Sequence, residues 1–266
     1  MDDVYTHGHH ESVLRSHTWR TAENSAAYLL PHLAPGQDLL DVGCGPGTIT
    51  LDLARLVAPG RTLGVDRAPE VVEQATRAAS AAGIPTVQFA VDDIYALDLP
   101  DDSFEVAHAH QVLQHLTDPV AALRELRRVL RRGGILGVRD SDYRSFAWAP
   151  LDPAIERWNE VYHQVTRRND AEADAGRHLL GWVRSAGFAD VEASSSTWTF
   201  ATPDERAWWG GLWADRCTDS GFAQQAQDYG IATAAEMQEL AVGWRRWAAT
   251  DDGFFMVPHG EVLARA

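Results

Sequence analysis

Residues Asp38 to Thr50 read DLLDVGCGPGTIT, and the fold turns on that stretch. Leu39, Leu40 and Val42 form a short apolar run without alternation, the pattern of a parallel strand covered on both faces. Apolar positions of a helix follow at once, at Ile49, Leu51, Leu53, Ala54, Leu56 and Val57. Between them, Gly43, Gly45 and Gly47 allow a tight corner and let a ligand approach backbone that a Cβ would screen. The N–H groups that open the following helix favour a negative group. The spacing is not that of a dinucleotide fingerprint, because G-x-G-x-x-G requires glycine at position 48 and Thr48 stands there. Asp41 is a second objection, since a carboxylate at the end of the strand repels a pyrophosphate.

A cationic ligand suits that corner better. S-adenosylmethionine carries a sulfonium and an ammonium, and its ribose hydroxyls can donate to an acidic residue. The motif D-x-G-x-G-x-G at Asp41 to Gly47 resembles motif I of the class I S-adenosylmethionine-dependent methyltransferases, and residues 21 to 140 resemble that family in motif order. Thr62 to Val65 resembles its second strand, ending at Asp66, whose family role is to bind the ribose hydroxyls, with Arg67 beside it. FAVDDI, Phe89 to Ile94, resembles the segment that sets a carboxylate against the adenine; the resemblance points to Asp93, with Ile94 beside it and Asp92 as the weaker candidate. DSFEVAHAHQVLQHLTDP, from Asp102, resembles strand four and its loop, and RRVLRRGGILGV, from Arg127, resembles the turn into strand five, with Arg132 where the family often has proline. The resemblance therefore implies an α/β, Rossmann-like fold with seven strands in the order 3-2-1-4-5-7-6. Cofactor contacts are implied for Asp41, Gly43, Cys44, Gly45, Gly47, Asp66, Arg67, Asp93, Ile94, His110, Gln111 and His115. His110 and Gln111 fall at the carboxyl end of strand four, where open α/β sheets bind ligands.

Composition sets further bounds. A chain of 266 residues, 45% hydrophobic, forms one large domain or a domain with a cap. A net charge of −15 weighs against nucleic acid as a partner. The basic run Arg124, Arg127, Arg128, Arg131 and Arg132 reads as the solvated end of a helix opened by Asp118 and Pro119. No apolar run reaches the roughly 18 residues of a membrane span, and MDDVYTHGHH lacks the marks of a signal peptide, so a cytoplasmic protein is expected. Cys44 and Cys217 suggest neither a disulfide framework nor a zinc site. His7, His9, His10 and His17 lie in a polar segment that reads as a lid or tail, and no metal is expected. The HTW at His17 to Trp19 resembles the N-terminal signature of the quinone C-methyltransferases at a different spacing.

The remaining pattern predicts a helix over Thr21 to Leu33, a helix over Pro69 to Ala82 and a strand over Thr86 to Val91. Strand five is expected at Ile135 to Arg139, a loop with Tyr143, Phe146 and Trp148 after it, and helices at Pro153 to Arg167 and Leu179 to Ser185. Val191, Ala193, Ser195 and Thr197 alternate in a sixth strand, and Phe254 to Ala264 is the last strand, which in the family inserts antiparallel. The organisation expected is a lid over residues 1–20, a core over 21–200 and 253–266, and an insertion over 201–252. Thr202 and Thr233 open two helices there, and Trp208, Trp209, Trp213, Trp244 and Trp247 either cover an apolar substrate or pack among themselves.

The chemistry expected is methyl transfer to an oxygen, nitrogen or carbon of a small apolar or aromatic molecule. Trp19, Trp209 and Trp213 are candidates to bind it, and His17, His110 and Tyr143 are candidates for a base. A quinone C-methyltransferase is the narrower alternative; an NAD-dependent oxidoreductase and a non-catalytic nucleotide-binding module are alternatives of other classes. A homodimer is left open. S-adenosylmethionine and S-adenosylhomocysteine should bind and NAD should not, and calorimetry with all three ligands decides it.

Overall fold

The computed structural model describes residues 3–6 and 19–266. Strands β1 (Leu39–Val42), β2 (Thr62–Asp66), β3 (Val87–Val91), β4 (Phe104–His110) and β5 (Leu130–Ser141) are parallel, in the order β3-β2-β1-β4-β5. A three-residue strand, β6 (Ala147–Ala149), follows, then β7 (Ala189–Phe200) and β8 (Phe254–Arg265). β8 runs antiparallel to both β5 and β7 and lies between them. β6 pairs with the first residues of β8, so the sheet has eight strands where the sequence pattern predicts seven. Ala147-Trp148-Ala149 is too short to display a period of two, which is why the pattern does not reveal it. Setting β6 aside leaves the expected order.

Helices α1 (Ala22–Ser25), α2 (Thr48–Val57), α3 (Pro69–Ala82), α4 (Pro119–Val129), α5 (Pro153–Arg168) and α6 (Leu179–Ser185) accompany the sheet. Apolar residues of α2 and α4 bury against it: Leu53 and Val57 pack with Leu39 and Val106, and Leu123 and Leu126 pack with Leu40 and Leu136. α3 closes on Gly83, whose φ of 65° sits in the left-handed region that favours glycine.

Several expectations are corrected. Thr21 does cap a helix, with Asn24 returning the bond, but α1 leaves helical geometry at Ala26 (φ −138°) and the chain resumes only as a 3-10 turn at Leu30–His32. Pro31 lacks the N–H that a continuous helix would require there. Arg131 and Arg132 belong to β5 rather than to α4, which ends at Val129. Arg128 is held by Glu125 and Asp101 at 2.6 Å each, so this part of the basic run is ion-paired. In β7 the buried side chains are Trp198 and Phe200, while Ala193, Ser195 and Thr197 are exposed; among the described residues β7 pairs only with β8, at the edge of the sheet, and its outer face meets solvent.

Residues 201–252 hold three helices, α7 (Pro203–Asp219), α8 (Gly221–Asp228) and α9 (Ala234–Ala248), where two capping boxes predict two. The third begins at Ser220, whose hydroxyl accepts from the Phe222 N–H. These helices share an aromatic core with α5 and the ends of β7 and β8: Trp158, Trp213, Trp244, Trp247, Phe200 and Phe255 are all at most 1% exposed. Trp244 meets Trp158 edge-on at 4.8 Å and Phe255 at 5.3 Å. Replacing Trp244 with alanine should therefore lower the stability of the whole chain by about 3–5 kcal/mol in urea unfolding, as one transition. A separate early transition would mean that the helices fold apart from the sheet.

Candidate functional site

The glycine turn lies at the carboxyl edge of the sheet. Gly43, Gly45 and Gly47 have φ values of 67°, 54° and 84°, and a Cβ built on Gly43 would lie 2.3 Å from Val112 Cγ2. Asp41 is buried beneath the turn. Its Oδ2 accepts from the Thr50 hydroxyl at 2.5 Å, and its Oδ1 pairs with His108 Nδ1 at 2.7 Å. Both oxygens thus serve the scaffold, joining β1 to α2 and β4. Asp66, at the end of β2, accepts the N–H of Gly45 through one oxygen and that of Ala68 through the other, both at 3.1 Å. Arg67 beside it is exposed and donates to the Asp3 carbonyl. In the loop after β3, Asp92 spends both oxygens on the N–H groups of Asp93 and Asp98, whereas Asp93 Oδ1 accepts only from Tyr95 and its Oδ2 has no partner among the described residues. Ile94 is buried beside them, and Cys44 is a buried thiol pushed well above its ordinary range by burial and by Asp41 and Asp66.

One cavity of about 450 Å³ runs from this edge to the helices of residues 201–252. Its near end is lined by Asp41, Asp66 and Asp93 with the glycine turn, and its far end by Trp19, Trp198, Trp208, Trp209, Trp213 and Tyr143. Gln111 marks the junction. Held at φ 55°, it accepts from Arg20 Nη2 through Oε1 (2.6 Å) and faces His259 Nε2 through its amide nitrogen (2.9 Å). His110 lines the cavity with both ring nitrogens buried and without a hydrogen bond among the described residues. Burial, with Arg139 and Arg20 nearby, holds His110 well below the usual histidine range, so the ring is neutral at pH 7. His115 is pushed down to about 3 by burial, Arg20 and Arg216, and Tyr5 meets it edge-on at 4.8 Å. Tyr143 stacks on Tyr162 at 3.9 Å, and burial raises its phenol to about 12, so it stays protonated at neutral pH and can donate a hydrogen bond.

The structure thus brings twelve of the predicted site residues together on one cavity wall: Asp41, Gly43, Cys44, Gly45, Asp66, Arg67, Asp93, Ile94, His110, Gln111, His115 and Tyr143. Trp19, Trp209 and Trp213 line it too. Gly47 is outside the lining: it caps α2 without a side chain, where a Cβ would meet Phe89 Cζ at 2.8 Å. His17 and the histidines at 7, 9 and 10 lie outside the described residues. Among the described residues no group of His, Cys, Asp and Glu could hold a metal, and no helix is long and apolar enough to cross a membrane. Sequence reasoning missed Arg20, Trp198, Arg216 and His259. Trp198 could have been found as an aromatic in a strand; lone arginines carry no such mark.

Comparison with known proteins agrees with this geometry. The model of a methyltransferase domain family matches residues 33–198, and the chain belongs to that family, making it a class I S-adenosylmethionine-dependent methyltransferase. An uncharacterised methyltransferase of Schizosaccharomyces pombe is 31% identical over 97% of this chain and 95% of its own length. The 2-methyl-6-phytyl-1,4-hydroquinone methyltransferase of Synechocystis is 32% identical over 76% of this chain and 60% of its own length. The YcgJ protein of Bacillus subtilis shares the fold, with a TM-score of 0.61 at 21% identity over 91% of this chain and 98% of that one. The oxidoreductase and non-catalytic readings are thereby set aside.

The buried rings give the site a pH dependence. His110, His115 and His259 all have folded pKa values below the unfolded histidine value of 6.5, so their contribution to stability is complete above that pH and is lost as pH falls toward the folded values. Asp140 opposes them: burial raises it to about 8, so it favours the folded state as pH falls. The melting temperature should drop between about pH 7 and about pH 5. Asp140→Asn, which removes the opposing group, should make that drop steeper in thermal scans across the range.

Proposed function

We propose that this methyltransferase acts on an oxygen, nitrogen or carbon of a small apolar or aromatic molecule. The observation that carries the reading is the single cavity joining the glycine turn to a wall of tryptophans. The cofactor fits the near end: the close approach of Gly43 to Val112 leaves no room for a side chain, and Asp93 Oδ2 is unspent. Asp66 would accept from the ribose hydroxyls and Asp93 from the adenine amino group. Arg20 would take the carboxylate of the cofactor's amino-acid end, because Gln111 holds its guanidinium at the junction of the cavity and its Nε is buried without a partner among the described residues.

When bound, the cofactor supplies an electrophilic methyl group: the bond from carbon to the acceptor atom forms as the C–S bond breaks, and its electron pair stays on sulfur. The protein's part is alignment and exclusion of water, for which Trp209 and Trp213 form the far wall and residues 201–252 would serve as a cap; the lid expected over residues 1–20 falls largely outside the described residues. If the acceptor must lose a proton, neutral His110 can accept it, and its depressed pKa makes it a weak base suited to an acidic hydroxyl. Tyr143 serves as a donor rather than a base. The Synechocystis relative favours a hydroquinone ring as the narrower acceptor.

Incubation with methyl-labelled S-adenosylmethionine and a panel of phenols, hydroquinones, amines and peptides should label small aromatic acceptors and leave peptides unlabelled. Trp209→Ala should raise the acceptor's KM with little change in cofactor affinity, as expected of a group that binds substrate alone. Asp66→Ala should weaken S-adenosylhomocysteine by roughly ten- to a hundredfold in calorimetry.

A further inference from the structure

β8 runs against β5, and the register sets His259 level with Ser141, which lines the cavity, and with Ser196 of β7. The imidazole is buried there, edge-on to Trp198 at 4.4 Å, and its Nε2 lies 2.9 Å from the Gln111 side-chain nitrogen. The last strand thus reaches the junction of the cavity through one side chain.

The chemistry of these groups fixes which atom donates. A guanidinium has only N–H groups to offer, so the Gln111 atom 2.6 Å from Arg20 Nη2 is the carbonyl oxygen. The amide nitrogen then faces His259. Because that nitrogen can only donate, His259 Nε2 must accept, with the ring proton on Nδ1. Such a ring is neutral. Burial, with Arg139 and Arg20, holds His259 well below the usual histidine range against the opposing pull of the Val257 carbonyl, in keeping with that state.

Gln111 occupies a strained place. Its φ of 55° lies in the left-handed region that side chains disfavour, and its N–H is tied to the Arg139 carbonyl at 2.7 Å. Such a backbone persists when contacts of the same residue hold it, and the side-chain contacts here are Arg20 and His259. Arg20 has a second support in Trp198, whose ring centre lies 5.6 Å from the guanidinium carbon. His259 therefore touches both groups that hold Arg20, one by a hydrogen bond and the other by ring packing.

We propose that His259 is a positioning residue for the cofactor: through the Gln111 amide it sets the direction of the Arg20 guanidinium toward the carboxylate of the cofactor's amino-acid end. The inference rests on the reading of Arg20 as the partner of that carboxylate, and it adds a residue of the last strand to the cofactor site.

The test compares two ligands by calorimetry on the full chain: S-adenosylhomocysteine, which carries the amino-acid end, and methylthioadenosine, which lacks it. His259→Phe keeps a ring against Trp198 and removes the accepting nitrogen, so it should weaken S-adenosylhomocysteine by about three- to tenfold and leave methylthioadenosine unchanged. His259→Gln, whose side-chain oxygen can reach the place of Nε2, should restore most of the loss, whereas the shorter His259→Asn should not. Arg20→Gln reports on the reading beneath, and should weaken S-adenosylhomocysteine alone, by about tenfold or more. If Arg20→Gln shows that selectivity while His259→Phe weakens both ligands alike or neither, or while His259→Gln restores nothing, the positioning role is overturned and the reading of Arg20 stands. If Arg20→Gln affects both ligands alike or neither, that reading falls and the proposal falls with it. Should His259→Phe lose its melting transition, the contrast between His259→Gln and His259→Asn decides.

Discussion

Asp41 is the point on which the site depends. Its carboxylate is buried, and its two oxygens are divided between the Thr50 hydroxyl on α2 and His108 on β4. The two elements that flank the glycine turn, β1 and α2, are therefore tied to the neighbouring β4 through one carboxylate, which fixes the turn against the sheet. A buried charge is tolerated only when hydrogen bonds replace its lost hydration, and here the two short bonds do so. The residue whose charge in the sequence points to a cationic ligand holds the backbone of the glycine turn through Thr50 and His108.

The aromatic helices are equally bound to the sheet. Phe255 on β8 contacts Trp148, Trp209, Trp244 and Trp247, so the last strand is part of the same core as the helices that precede it. Tryptophan serves two purposes there. Trp244 and Trp247 fill the interior, whereas Trp208, Trp209 and Trp213 present ring surface to the cavity. Core packing and the lining of the cavity are consequences of one arrangement.

Polarity divides the cavity much as topology does. Carboxylates follow the ends of β1, β2 and β3, while the far wall is aromatic and cationic. Three histidines in or beside that wall stay neutral because burial and nearby guanidiniums both disfavour a further positive charge.

The near end of the site was legible because its residues follow the order of the parallel strands: a turn at 43–47, then a carboxylate after each of the next two strands, at Asp66 and Asp93. Parallel strands start at one edge and finish at the other, so chain order maps onto that edge directly. Trp209 and Trp213 were legible from helical spacing and composition. The far end was otherwise hidden, because its contacts join residues distant in the chain: Gln111 meets His259 across 148 positions, and Arg20 meets Gln111 across 91. The early break of α1 and the three-residue β6 escaped the pattern for a related reason, since each is too short to show a period. By itself, then, the sequence determined most of the helices and strands and the glycine turn, which rest on local periodicity and glycine spacing, while its resemblance to the family implied the fold class, the cofactor edge and the strand order. Only the tertiary structure decided which arginines and aromatic rings face one another, because the antiparallel insertion of β8 and the packing of α7 bring them together, and no local pattern encodes that meeting.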